Sequence, residues 1–446
     1  MPRVGSVYIC QKRARVLPFI PRWNPTMKRR QFLAATAAAT APLFIPARAF
    51  GANDRVITAH IGVGNQGTGN LMRFAENAAV ICDVDQTMLE KAATKFGKDK
   101  GRKLELETDF RRILDRKDID AVVITTPDHW HAIPTIMACQ AGKDVYCEKP
   151  LSLTIDEGQA MVKAARDNQR VVQTGSQQRS SKEFLLACRL VRSGKIGKVT
   201  EVQVGIPASN HPYRDKSPVA NSQPPSTLDY DFWIGPAPMR PYNVDRVHYN
   251  FRFFWDYSGG QMTNFGAHHI DIAHWGLGMD ESGPLSVEGT GKFHPEGWVD
   301  VSLECRLTYT YPGDVKMIVG QQQNEFASGT RFIGTEGEIL VNRGKITSMP
   351  DSIVIDAQKE GGDEGLVELY RSTNHHQDFL NCIASRQRPI CDIEIGHRTA
   401  TACHLGNIAL RTGKKVQWDA VAQRIINDDQ TAKMSSREPR APWKLT

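Results

Sequence analysis

The stretch "RVITAHIGVGNQGTGNLMRFA" (Arg55–Ala75) limits the fold more than any other part of the chain. An apolar run from Arg55 to Ile61 has the length and composition of a buried strand, and a helical pattern follows at once. Between them stand Gly62-x-Gly64-x-x-Gly67. The first glycine permits a tight turn and the second lets the backbone approach a pyrophosphate. The third lets helix and strand pack closely, and the helix N-terminus faces the anion. Alone, the pattern is weakly specific. Here a second apolar strand, "AAVICDVD", follows and ends at Asp83. A carboxylate at that strand end accepts hydrogen bonds from a ribose 2′-hydroxyl and repels a 2′-phosphate, which favours NAD over NADP. Asp85 is the rival for this role.

The alternation continues. Strand patterns at Ile119–Thr125, Asp144–Cys147 and in "RVVQTGSQQR" are separated by helical ones, the signature of a doubly wound parallel sheet. Ligands of such sheets gather at the carboxyl ends of the strands. The expected cofactor-binding set is therefore Gly62, Gly64, Asn65, Gln66, Gly67 and Asp83, then Thr126, Pro127, His129 and His131, then Glu148, Lys149 and Gln177, with Arg179 reaching substrate. Lys149 precedes Pro150, which holds it in extended backbone, and the bond between them is a candidate cis peptide.

With 446 residues the chain is too long for one ordinary core. We expect a dinucleotide-binding domain over 50–176 and a second α/β domain over 177–446. The formal charge of +7 belongs to the first 49 residues, which hold nine Lys/Arg and no Asp or Glu. The remainder carries 47 basic against 49 acidic residues, which gives no argument for nucleic acid. Within 1–49, "MKRRQFLAATAAATAPLFIPARA" has a basic start, a short apolar stretch and a small-x-small end. It resembles a twin-arginine export signal, with translation expected to start at Met27 and the product expected in the periplasm. The apolar stretch is short of the roughly 20 residues a membrane span needs. The nine cysteines include no C-x-x-C pair and read as buried thiols.

At this point the residues resemble the Gfo/Idh/MocA group, named for glucose–fructose oxidoreductase, inositol dehydrogenase and rhizopine catabolism. The carriers are the glycine turn, "TTPDHWHA", "CEKPLS", "GGQMTNFGAHHIDIAHW", "FIGTEGEILVNRG" and "NHHQDFLNCIASRQRP". "DYDFWIGPAP" and "FRFFWDY", with the leader, look like an exported branch. The resemblance implies a Rossmann-type domain and a second domain with a large open, mostly antiparallel sheet. Strand patterns such as "KVTEVQVGI", "VDVSLECRLTY" and "VKMIVGQQQ" agree, and Gly334–Gly337 reads as a hairpin turn. It further implies helices near Asn374–Ser385 and Thr399–Thr412 that pack back on the first domain, and a homodimer or homotetramer.

The segment Gly259–Trp275 reads as a helix crowded with histidines. His268, Asp271 and His274 are three apart. They spread around a helix and form no compact three-ligand face, so no metal is expected. Asn264 and His268 are four apart and share a face. The resemblance makes His268 a general acid/base beside the nicotinamide, assisted by Lys149. Asn264 stands where relatives often have aspartate. An amide orients the imidazole without supplying charge, which predicts a less basic His268. Asp271 is expected to anchor the helix. Tyr249, Trp255 and His375 are candidate substrate contacts, with Arg252 and Tyr257 in the same aromatic stretch.

These residues imply hydride transfer between a tightly bound nicotinamide dinucleotide and a carbinol carbon of a sugar or polyol. Two alternatives stand beside it. One is a redox-neutral glycoside hydrolase working by transient oxidation. The other is a non-catalytic sugar- and dinucleotide-binding protein.

Overall fold

The computed structural model describes residues 55–211 and 217–445. The leader, with its twin-arginine pattern and Cys10, lies outside the described residues. The first sheet contains β1 (Thr58–Ile61), β2 (Ala78–Cys82), β3 (Glu105–Glu107), β4 (Ala121–Ile124), β5 (Asp144–Cys147) and β6 (Val172–Thr174), in the order β3-β2-β1-β4-β5-β6. All five pairings are parallel. β1, β4 and β5 are buried along their whole length, as strands covered by helices on both faces must be. The strand order reverses between β1 and β4, so their carboxyl ends open a crevice. The helix Ile155–Asp167 follows the Lys149 segment and begins with a capping box between Thr154 and Glu157.

The second sheet contains β7 (Val199–Ile206), β8 (Ser286–Lys292), β9 (Glu304–Thr310), β10 (Lys316–Gln321), β11 (Gly329–Gly334), β12 (Glu338–Asn342), β13 (Lys345–Met349), β14 (Val416–Asp419) and β15 (Arg424–Ile425). Their order is β13-β12-β11-β7-β10-β9-β8-β14-β15. Only β7 and β10 pair in parallel, so the sheet is mixed and mostly antiparallel. Gly334–Gly337 forms the turn between β11 and β12.

Two late helices bind the sheets together. Phe379, Cys382 and Ile383 of the helix His375–Ser385 pack with Phe74, Val123 and Tyr146 on one face of the first sheet. The helix Ile393–Thr412 has 20 residues, about 30 Å at 1.5 Å per residue. Ile393 and Ala400 near its start join Val122 and Ile124 on the other face of that sheet. Leu405, Ile408 and Ala409 further along join the core beneath the second sheet. The histidine-rich segment comprises the short helix Gln261–Asn264 and the helix Gly266–Leu277, with a tightened turn at Phe265 between them. The second helix is buried on every side up to Gly276. The eight described cysteines are buried free thiols.

Candidate active site

A cavity of about 640 Å³ runs from the glycine turn, past the ends of β4 and β5, to the start of the histidine-bearing helix. The turn has the stereochemistry that its spacing predicts. Gly62 has φ +84°, and a Cβ there would lie 2.7 Å from the Thr125 carbonyl carbon. At Gly67 a Cβ would lie 2.1 Å from the Gly62 oxygen, whereas at Gly64 it would meet nothing within 4 Å. Two glycines are thus imposed by packing, and the third leaves open space at the helix N-terminus that a pyrophosphate fits. Asp83 lines the cavity and accepts hydrogen bonds from Val63 N (2.8 Å) and Asp85 N (3.0 Å). Burial raises its pKa, and the two N–H groups pull in the other direction. Asp85 is occupied otherwise: its side chain caps the helix Gln86–Lys100 through Thr87 N. The cradle, the strand-end carboxylate and the open turn fit a dinucleotide.

Asn65, Gln66, Thr126, Pro127, His131, Glu148 and Gln177 also line the cavity. Glu148 is held by Gln66 Nε2 (3.1 Å), Asn70 Nδ2 (2.9 Å) and the Lys149 N–H (3.2 Å). Each ring nitrogen of His131 faces a carbonyl: Nδ1 that of Pro150 (2.7 Å) and Nε2 that of Thr126 (3.0 Å). Both carbonyls can accept from ring N–H groups. Burial opposes a positive charge on the ring, but Cys147, Asp128 and the Pro150 carbonyl outweigh it and push the pKa up to about 10. Asp128 accepts from Ser258 Oγ at 2.5 Å, and burial raises its pKa.

Lys149 follows β5, and its peptide bond to Pro150 is cis. Its ammonium donates to Asn264 Oδ1 at 2.9 Å and approaches the Asn264 carbonyl at 3.4 Å. Burial lowers its pKa, Glu148 and Asp128 oppose, and Arg252 and Arg343 add to the lowering. His268 lines the same cavity. Its pKa falls well below the ordinary histidine range, by burial first and then by the charges of Lys149 and Arg343. Its Nδ1 is buried without a hydrogen-bond partner.

Several expectations are corrected. Asn264 does not orient the His268 ring. Its oxygen goes to Lys149, because a charged donor makes the stronger bond, and its Nδ2 donates to Gln261 Oε1. Arg179 does not reach the cavity. It is 1% exposed and pairs with Asp271 and Asp280, which is how Asp271 anchors its helix. Trp255 is sandwiched between the guanidiniums of Arg411 and Arg437, away from the cavity wall. His375 donates Nε2–H to the Thr174 carbonyl (2.9 Å) and meets Ser180 Oγ through Nδ1, which makes it a strut between β6 and its own helix. His129 donates Nε2–H to the Trp233 carbonyl (3.1 Å) and lies behind the wall. Of the residues expected to touch substrate, Tyr249 lines the cavity. His274 meets the Tyr311 hydroxyl at 2.7 Å inside the core. Among the described residues no cluster of three or more His, Cys, Asp or Glu has the arrangement of a metal site.

A wall residue that sequence reasoning missed is Arg343. It lies in the turn between β12 and β13, and its Nε donates to Gln178 Oε1 (3.0 Å). Gln178 in turn donates Nε2–H to the His268 carbonyl (3.1 Å). A turn arginine carries no local signal of its target, which depends on which end of the second sheet meets the first domain.

Known proteins share this fold. The family model described as oxidoreductase family, NAD-binding Rossmann fold, matches residues 56–176. The companion model, oxidoreductase family, C-terminal alpha/beta domain, matches residues 187–445. An alpha-N-acetylgalactosaminidase of Shewanella oneidensis is 29% identical over 201 residues, 38% of this chain. The match spans less than half of that relative's length, 44%. Among solved structures, levoglucosan dehydrogenase in complex with NADH and levoglucosan superposes with a TM-score of 0.60 at 21% identity, over 81% of this chain and 99% of that one. The scyllo-inositol dehydrogenase of Lactobacillus casei, with bound NAD(H) and scyllo-inositol, gives 0.57 at 19% identity, over 81% and 99%. At these identities the likeness to the two structures is one of fold.

Proposed function

The chain belongs to the Gfo/Idh/MocA oxidoreductase family, and from that premise we propose that it acts on a CH–OH group of a sugar, polyol or sugar derivative with a tightly held nicotinamide dinucleotide. When bound, the dinucleotide supplies the hydride acceptor or donor. The observation that carries the reading is the bond from Lys149 to Asn264. It brings a strand-end lysine of the first domain and the His268 helix to one cavity, in line with the glycine turn.

The residues divide the remaining work. Lys149 uses two of its three N–H groups on Asn264 and has the third for the substrate oxygen, where negative charge develops. His268, kept neutral by burial, takes the hydroxyl proton on oxidation and returns it on reduction. Asp83 receives the ribose hydroxyls, which supports NAD over NADP.

Tight retention of the dinucleotide is supported by the segment from Thr227 to Phe253. Thr227 O accepts from Gln86 N and Asp229 N donates to Val84 O, which fastens the segment beside the end of β2. His248 Nε2 then lies 3.4 Å from Asp85, and Tyr249, Phe251 and Arg252 line the cavity. A cofactor covered in this way leaves slowly. That suits export through the twin-arginine pathway to the periplasm, which the leader pattern supports, since free dinucleotide is not expected there. Assembly into a homodimer or homotetramer rests on the family resemblance.

A second reading is glycoside hydrolysis by transient oxidation, in which the same hydride returns within each cycle. The similarity to the Shewanella glycosidase supports it over part of the chain. Aryl glycosides discriminate, because released phenol without external oxidant means hydrolysis. A non-catalytic binding protein has no need for Lys149 and His268 in one cavity. Mass spectrometry of the purified protein, followed by addition of a sugar panel, tests the proposal. Copurified or added dinucleotide should be bound and change redox state with a sugar. Failure to bind it overturns the reading.

A further inference from the structure

Two guanidinium groups line the cavity and, among the described residues, form no ion pair with a carboxylate. Arg252 belongs to the 3-10 helix His248–Phe253. Its Nε donates to the Tyr249 carbonyl (2.8 Å), and its guanidinium carbon lies 3.9 Å from the Tyr249 ring centroid. Arg343 is fixed in the same manner. Its Nε is bonded to buried Gln178, and its guanidinium lies 5.8 Å from the Phe265 ring centroid. In both cases Nε and one face are engaged, and among the described residues the terminal N–H edge has no acceptor. Several buried arginines elsewhere have carboxylate partners, although among the described residues Arg411 and Arg437, stacked on Trp255, do not. Arg179 meets Asp271 and Asp280, Arg189 meets Asp363 and Glu368, and Arg398 meets Glu394.

The acidic groups nearby are already committed. Asp128 accepts from Ser258, and Glu148 accepts from Gln66, Asn70 and the Lys149 N–H. Asp83 is occupied by Val63 and Asp85 toward the end of β2. Against Asp128 and Glu148 stand Lys149, Arg252 and Arg343, all lining the cavity. Position 264 adds to the imbalance, because the residue bonded to Lys149 is an amide and brings no negative charge. Both guanidiniums line the same cavity as Lys149.

We propose that the substrate is an acidic sugar, a uronic or aldonic acid or a glycoside of one, whose carboxylate is held by the terminal N–H edges of Arg343 and Arg252. This deepens the reading above and rests on it. A planar carboxylate matches a guanidinium edge through two parallel bonds, and an arginine stacked on an aromatic ring loses little freedom in making them. Arg343 is tied through Gln178 to the His268 carbonyl, so a carboxylate seated on it is positioned relative to the acid/base group. Arg343 and Arg252 are specificity-determining residues in this account.

The test compares matched pairs, glucuronate with glucose and galacturonate with galactose, on the full chain loaded with NADH. Binding is read by calorimetry and by NADH fluorescence. The acid should bind about tenfold or more tightly than its neutral partner, the usual worth of a bond to a charged group. The preference should shrink at high salt. Arg343→Gln and Arg252→Gln, each saturated with NADH, should raise the dissociation constant for the acid about tenfold, with NADH binding itself kept in Arg343→Gln. Equal binding of acid and neutral sugar, or an acid preference untouched by both variants, overturns the proposal. Tighter binding of a sulfated sugar than of the uronate overturns the assignment to a carboxylate. Failure to bind NADH counts against the cofactor reading instead, so the two failures are distinguishable.

Discussion

The Lys149 ammonium lies 2.9 Å from Asn264 Oδ1, and this bond joins the end of a parallel strand to the helical segment that carries His268. An amide holds the lysine in position without neutralising it, so burial and neighbouring positive charges, Arg252 and Arg343 for Lys149 and Lys149 and Arg343 for His268, keep both below their ordinary pKa values. A carboxylate at the same place would favour the charged form of each.

Asn264→Asp should therefore raise both pKa values and move the acidic limb of the kcat/KM profile to higher pH. Asn264→Ala should remove the anchor and lower kcat about 10- to 100-fold, the loss typical of a misplaced charged hydrogen bond. A pH profile of each variant with unchanged thermal stability checks both outcomes.

Much of the site was legible because its signals are local. The strand, the glycine turn and the acid at Asp83 lie within about 30 residues, as the motif requires, and Lys149 follows directly on β5. The errors came from partners distant in sequence. Asn264 and His268 share a face by spacing, but a lysine from another domain takes the amide oxygen. Arg179 follows β6 as a ligand residue would, yet Asp271 and Asp280, far along the chain, draw it into the core. Trp255 looked available for a sugar until Arg411 and Arg437 enclosed it.

Gly64→Ala and Gly67→Ala should separate binding from folding. A Cβ at 64 enters open space, so the fold is kept and NADH affinity falls. A Cβ at 67 collides with the Gly62 carbonyl, so thermal stability falls as well. Melting curves with and without NADH distinguish the two.

The Arg179–Asp271 pair is almost fully buried, at 1% and 0% side-chain exposure. Arg179→Met alone leaves Asp271 without its charged partner and should cost about 3–5 kcal/mol. Adding Asp271→Leu should recover part of that loss. Chemical denaturation of the single and double variants measures it.

Stability should fall on the acid side. Burial lowers the pKa of His129, His269, His274 and His404 to about 4 and of His375 to about 3, against 6.5 in the unfolded chain. The unfolded state binds more protons between those limits. The stability these groups contribute is complete above pH 6.5 and is lost as pH falls toward 4 and 3. Melting temperature measured across that range should drop steeply.

The most direct test of the central claim is a single-turnover reaction of the dinucleotide-loaded protein with an oxidisable sugar, followed by nicotinamide absorbance. The wild type should change redox state. Lys149→Ala and His268→Ala should bind the dinucleotide equally well and change it at least about a hundredfold more slowly, the lower range for loss of a proton-transfer group. Wild-type rates in either variant would contradict the account.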